Sequence, residues 1–224
     1  MKYKNLLFDL DGTLTDSSEG IFKCFHYAFE KMGYPQPDQS LLQTFIGPPL
    51  GGSLVRGGIP ESEKERAIKV YRERYNTVGK FENSPYPGMI ELLQKLKSEG
   101  FMLYVATSKP EKTALEVLDH FDMTKYFDEI AGSTMDGSRE TKEDVIKYLQ
   151  KKIESATDGS DATTIEKHNT VMIGDTSYDI LGAAECDIPT ICVGWGFGDK
   201  EQMIKDGALT IVNSMDELYA FLNA

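Results

Sequence analysis

Basic side chains are scarce in this chain. Its 224 residues hold 24 Lys and Arg against 36 Asp and Glu, a formal net charge of −12. Such a surface repels polyphosphate backbones, so a nucleic acid polymer is not an expected partner. Any anionic ligand needs a locally positive site, made by a metal, a lysine or a helix N-terminus. Cysteine is scarce too. Cys24, Cys186 and Cys192 are odd in number, lie in apolar surroundings and have no His close in sequence. That excludes a disulfide framework and gives no sign of a zinc site, leaving buried free thiols in a reducing compartment as the expectation. The three histidines, His26, His120 and His168, share no ligand-like spacing and read as packing or surface residues. Long apolar runs are absent: nothing approaches the ~20 residues of a membrane span. The opening MKYKNLLFDLDG is too short in its apolar part for a secretory signal and is broken by Asp9. A cytoplasmic chain without membrane contact is expected.

What is present is an ordinary globular mixture, 40% hydrophobic and 27% charged, enough for a core domain plus a smaller one. Residues 3–10 form a short apolar run before Gly12, the pattern of a buried strand and its turn. Asp16, with Glu19 three residues on, suggests a variant capping box. From there to residue 80 every periodic segment is helical: apolar residues recur at helical spacing from Ile21 to Met32, 41–46 is a short helix stopped by Gly47-Pro48-Pro49, and 61–78 is a third. Beyond Pro85 and Pro87-Gly88 the pattern changes. Strands at 102–106, 128–131, 170–173, 190–193 and 209–212 alternate with helices at 89–98, 111–120, 140–154, 178–184, 200–205 and 215–222. That alternation predicts a doubly wound parallel α/β sheet, interrupted after its first strand by an all-helical insertion. Residues 155–168 are polar and aperiodic and read as a mobile surface loop.

In a doubly wound sheet, ligands bind at the carboxyl ends of the strands, and four segments place reactive residues there. Asp9 and Asp11 follow the first strand, and alternation points both the same way. Two like charges that close need a cation or a shared proton; a divalent metal would resolve the repulsion and free one carboxylate to act as nucleophile. Thr107-Ser108-Lys109 follows the 102–106 strand, where it is either a helix cap or a phosphate-binding turn. Lys142, with Arg139 as the reserve, begins a helix, where a cation is mildly disfavoured by the dipole; taken alone, either is a solvated charge. Gly174-Asp175 ends another strand, with Asp179 four residues on.

Together, in this order, the four resemble the motifs of the haloacid dehalogenase-like hydrolase superfamily: DLDGTL its first motif, VATSKP its second, Lys142 its third and GDTSYD its fourth. The resemblance spans residues 8–179. It implies a doubly wound core at 1–15 and 81–224, with a helical cap at 16–80 that closes over the site. It casts Asp9 as the nucleophile, Asp11 as the general acid/base and Lys142 as the neutralising cation. It puts Thr107 in the phosphate-binding place, with Ser108 and Lys109 as its neighbours rather than direct ligands, and Gly12 and Thr13 among the substrate-binding residues. It also implies Mg²⁺ held by Asp9, the backbone carbonyl of Asp11 and Asp175, with Asp179 acting through water. An acid at Asp11 favours phosphate esters over dehalogenation, because a leaving alkoxide needs a proton. The wider pattern looks most like phosphoglycolate phosphatase-like and 5′-nucleotidase-like members, which act on small-molecule phosphate esters. In the cap, Arg56 is a candidate contact for the ester's organic half. A sugar-phosphate mutase or a non-catalytic regulator of the same fold are the alternatives, and a monomer or weak homodimer is expected. The Gly194-Trp195-Gly196-Phe197-Gly198 run has the wrong spacing for a dinucleotide fingerprint and reads as a flexible loop at the rim of the site.

Overall fold

The computed structural model describes residues 2–156 and 167–224, so most of the loop expected at 155–168 lies outside the described residues. Along the chain, β1 (Asn5–Phe8) leads to β2 (Thr15–Asp16), the helices α1 (Ser18–Met32), α2 (Gln39–Gln43), α3 (Leu50–Arg56) and α4 (Lys64–Tyr75), then β3 (Ser84–Pro85) and α5 (Met89–Ser98). The remainder is β4 (Met102–Pro110), α6 (Glu111–His120), β5 (Glu129–Ser133), α7 (Lys142–Ala156), β6 (Thr170–Gly174), α8 (Ser177–Ala184), β7 (Thr190–Val193), α9 (Lys200–Lys205), β8 (Thr210–Val212) and α10 (Met215–Leu222). Two compact units result: Met1–Leu14 with Pro85–Ala224, and Thr15–Ser84.

The first unit is a six-stranded sheet in the order β5-β4-β1-β6-β7-β8, parallel at every junction. Both faces are covered, which is why its strands read as continuous apolar runs rather than alternating ones. Leu6 and Phe8 pack on one side with Leu92, Leu93 and Leu96 of α5 and Val117 of α6. Leu7 packs on the other with Val145, Ile146 and Leu149 of α7. All three β1 side chains are fully buried, each contributing about 1.5–3 kcal/mol of transfer free energy. The chain runs outward from β1 to β5, then restarts beside β1 with β6. The order therefore reverses around β1, and the carboxyl ends of β1, β4 and β6 open the ligand crevice.

The second unit is helical. Phe25 of α1, buried, lies with its ring 4.8 Å from Phe45 and 5.0 Å from Tyr71. Its strand content is confined to Thr15–Asp16 and Ser84, part of the two-stranded ladder of β2 and β3. One local expectation changes, and one helix lies where the sequence shows no periodic segment. The N-cap of α1 is Ser17, not Asp16, whose carboxylate instead accepts from the Ser18 N–H at 3.0 Å. Helix α3 stands where Pro48-Pro49 and Gly51-Gly52 suggest loop. Pro49 sits at its N-cap, the flank where a missing N–H costs nothing, and burial of Ser53 and Leu54 outweighs the poor helix propensity of the two glycines. No helix among the described residues is long and apolar enough to cross a membrane, and the three cysteines are buried free thiols.

Candidate active site

The strand β1 ends at Phe8, two residues earlier than the apolar run suggests. Asp9 continues the ladder by donating its N–H to Ile173 O at 2.9 Å. The chain then turns at Gly12, whose φ of +83° strains any residue with a Cβ. A methyl there would also overlap the carboxylate of Asp175. The two N-terminal carboxylates find different partners across this turn. Asp9 Oδ1 lies 2.9 Å from Lys142 Nζ, and Asp11 Oδ1 lies 2.5 Å from Lys109 Nζ. Like charges close together are thus answered by two lysines: Lys142, the cation the resemblance implies for Asp9, and Lys109, whose pairing with Asp11 the sequence does not suggest.

Lys142 opens α7 behind a capping box, in which Thr141 Oγ1 accepts from Asp144 N (3.1 Å) and Thr141 N donates to Asp144 Oδ2 (3.2 Å). Its side chain is 2% exposed. The ammonium donates to Ala106 O at 2.8 Å and also stands 2.8 Å from Asp179 Oδ1. Burial alone would lower this ammonium's pKa, but Asp179 and Asp9 outweigh it and hold it raised. Arg139, the reserve for this place, is used elsewhere: it donates to Gly132 O at 2.6 Å and pairs with Glu111 at 2.9 Å.

Asp175 and Asp179 are fully buried at the end of β6 and the start of α8. Asp179 Oδ2 accepts from the N–H groups of Asp175 (3.1 Å) and Thr176 (3.0 Å), closing a capping box. Asp179 is therefore anchored to Lys142 and to a helix start. Oxygens of Asp9, Asp175 and Asp179 lie within 4.8 Å of one another. Burial, followed by repulsion from Asp179 and Asp9, raises Asp175 well above the ordinary carboxylate range. Burial, against the pull of Lys142, raises Asp9 from 3.8 to about 6.

Lys109 and Thr107 owe their places to the end of β4. Pairing with β5 shifts register between Thr107 and Pro110, a bulge of the kind that re-aims side chains at functional sites. Lys109, expected as a neighbour of the phosphate, is buried and paired with Asp11. Thr107 is buried and accepts from Lys109 N at 3.2 Å, while Ser108 is exposed. Thr13, expected on the substrate side, donates its hydroxyl to Asp175 Oδ1 at 3.3 Å. Arg56 belongs to the helical unit, where it is exposed and its Nη2 donates to Thr44 O (2.9 Å) and Ser53 Oγ (3.2 Å). The 194–198 loop, expected to be flexible, supplies a further contact: Phe197 N–H donates to Asp175 Oδ2 at 2.8 Å.

The carboxylates of Asp9, Asp11, Asp175 and Asp179 face two ammonium groups, Lys109 and Lys142. With all four ionised, two negative charges are left without a counter-charge in a largely buried cluster, which is unfavourable unless a proton or a cation joins it. A hard divalent ion fits an all-oxygen donor set of this kind.

A family model described as haloacid dehalogenase-like hydrolase matches residues 6–193. A 5′-nucleotidase of Pseudomonas aeruginosa is 39% identical over 204 residues, 91% of this chain and 88% of that protein. The tyrosine-protein kinase PtkA of Mycobacterium tuberculosis is 38% identical over 215 residues, 95% of this chain and 70% of that one. The crystal structure of a "predicted phosphatase" from Clostridium acetobutylicum superposes with a TM-score of 0.89 at 42% identity, covering 100% of this chain and 99% of that one. The family match, these likenesses and the four segments gathered at one edge of the sheet agree, and the chain belongs to the haloacid dehalogenase-like hydrolases.

Proposed function

We propose that the chain hydrolyses small-molecule phosphate monoesters, as a 5′-nucleotidase-like or phosphoglycolate phosphatase-like enzyme, through a phospho-aspartate on Asp9 and with Mg²⁺ bound. The observation that carries this reading is the placement of Asp9 against Lys142, with Asp11 two residues on and paired to its own lysine. A nucleophile, a buried cation and a separate proton carrier then share one edge of the sheet.

In the proposed cycle, Lys109 turns from Asp11 to the incoming phosphate. An Asp9 carboxylate oxygen attacks phosphorus, the ester P–O bond breaks, and Asp11 gives its proton to the leaving alkoxide. Asp11 then takes a proton from water, whose oxygen attacks the phosphorus of the acyl phosphate; the bond to Asp9 breaks and phosphate departs. Lys142 offsets negative charge on Asp9 and on the transferring group throughout. Mg²⁺, held by Asp9, the Asp11 carbonyl and Asp175, would supply the remaining positive charge.

Magnesium binding has its own signature. Asp9 keeps a proton in the native metal-free protein up to about pH 6, whereas its ordinary value is 3.8. The native state thus binds more protons across that window, and the metal-free protein loses stability as pH rises through it. Mg²⁺ competes with that proton. At a hundred times its Kd, Mg²⁺ is expected to stabilise by about 2.7 kcal/mol, or raise Tm by about 5–10 °C, at pH 7.5 and by clearly less at pH 5. Thermal melts at both pH values check this, and equal shifts would count against it.

Substrate class is tested by phosphate release, with Mg²⁺, from nucleoside 5′-monophosphates, 2-phosphoglycolate, hexose phosphates and p-nitrophenyl phosphate. The 39% identity to a protein named 5′-nucleotidase leads us to expect the highest kcat/KM on a nucleoside monophosphate. Silence across the panel from folded protein would contradict the reading. The kinase-named relative favours one second reading, in which a hydroxyl acceptor replaces water, as it would in a sugar-phosphate mutase. Phosphate passed to an added alcohol or sugar, without release, would select it.

A further inference from the structure

We propose that residues 194–198 are a positioning device for Asp175 and set the metal affinity of the site; this rests on the magnesium reading above. The segment follows β7 and reads Gly-Trp-Gly-Phe-Gly. It reaches Asp175 twice. Phe197 N–H donates to Asp175 Oδ2 at 2.8 Å. Trp195 Nε1–H donates to Thr13 O at 3.2 Å, and Thr13 Oγ1 donates to Asp175 Oδ1 at 3.3 Å. Each carboxylate oxygen is therefore held by a donor that the loop either supplies or braces. The half-buried indole is itself braced by an edge contact with Tyr86, with centroids 6.3 Å apart.

Two of the glycines are required by closeness rather than by flexibility. A methyl on Gly196 would overlap the Asp175 side chain and come 2.5 Å from Gly12 O, and one on Gly198 would overlap the Asp175 carbonyl oxygen. Gly194 faces elsewhere: a methyl there would meet Asn213 Oδ1 at 2.6 Å and Lys200 Nζ at 2.8 Å, side-chain ends that can move aside without touching Asp175. The loop backbone thus lies flat against the one carboxylate in the cluster that has no lysine within ion-pair distance among the described residues. A carboxylate so placed depends on its outer hydrogen bonds for orientation. Losing such a partner lowers metal affinity about 10–100-fold.

The test is calorimetric titration of Mg²⁺ into the metal-free protein, with thermal melts alongside, for the wild type, Gly196→Ala, Trp195→Phe and Gly194→Ala. Gly196→Ala and Trp195→Phe are expected to raise the Kd for Mg²⁺ by about tenfold or more, while Gly194→Ala, the same kind of change in the same loop, keeps the wild-type value. Trp195→Phe retains a ring and removes only the N–H donor and part of the indole, so it decides the matter even if Gly196→Ala does not fold. Wild-type Mg²⁺ affinity in folded Trp195→Phe would overturn the proposal. Absence of Mg²⁺ binding by the wild type would instead overturn the magnesium reading beneath it.

Discussion

Asp9→Asn is expected to reduce kcat for phosphate release by at least about a thousandfold while leaving the metal-free protein at pH 7.5 as stable as the wild type, or more so. The amide keeps the size of the carboxylate but cannot form the acyl phosphate. Its effect on stability has the opposite sign because the native site disfavours the charge it removes: burial and the neighbouring Asp179 raise Asp9 to about 6, so above that pH its ionised form is held at a cost in free energy. Melts and steady-state kinetics on the same preparation separate the two effects. Retained turnover, or lost turnover accompanied by a large drop in Tm, would contradict the assignment of Asp9 as nucleophile.

Lys142→Met is expected to do the reverse, harming stability as well as rate. The side chain is 2% exposed and within 2.9 Å of Ala106 O, Asp9 Oδ1 and Asp179 Oδ1. Methionine preserves most of its volume, so the loss is one of charge rather than of packing. Removing one partner from a buried ion pair costs about 3–5 kcal/mol, which corresponds to a fall in Tm of about 6–20 °C for a chain of this size. The fall should shrink at pH 5, below the value of about 6 to which Asp9 is raised, because a protonated Asp9 no longer needs the ammonium. Turnover should drop at least about a hundredfold, the cost of losing one preorganised charge stabiliser. A variant that melts like the wild type at pH 7.5 would show that the cluster does not depend on this lysine.

Much of this site is legible in the chain itself because its residues sit where apolar runs stop. Asp9, Thr107 and Asp175 each follow a run buried on both faces of the sheet, and a polar residue at such a point has few structural reasons to be there. The four inner strands β4, β1, β6 and β7 are visible for the same reason, and the edge strands β5 and β8 through their alternation with helices. Lys142 is legible through order and helix position, although its partners are 36 and 133 residues away in the chain, at Ala106 and Asp9.

What is not legible depends on register and long-range approach. The bulge after Thr107 turns Lys109 onto Asp11, and nothing in Thr-Ser-Lys-Pro announces two extra residues opposite β5. Thr13 bonds Asp175 162 positions away, so its hydroxyl reads from sequence as free for a ligand. The glycines at 196 and 198 suggest flexibility only until Asp175 is placed against them. Helix α3 is hidden because Pro48-Pro49 and Gly51-Gly52 are local breakers, and only the burial of Leu54 shows why the segment coils.

The central claim, chemistry through a phosphorylated Asp9, is tested most directly by acid-quenching a single turnover of a ³²P-labelled ester with Mg²⁺ and mapping the label by peptide mass spectrometry. A base-labile label on Asp9 that forms and decays at rates compatible with turnover, and is absent from Asp9→Asn, is the predicted result. Phosphate released at full rate with no label on the protein at any quench time, and with Asp9→Asn still active, would contradict it.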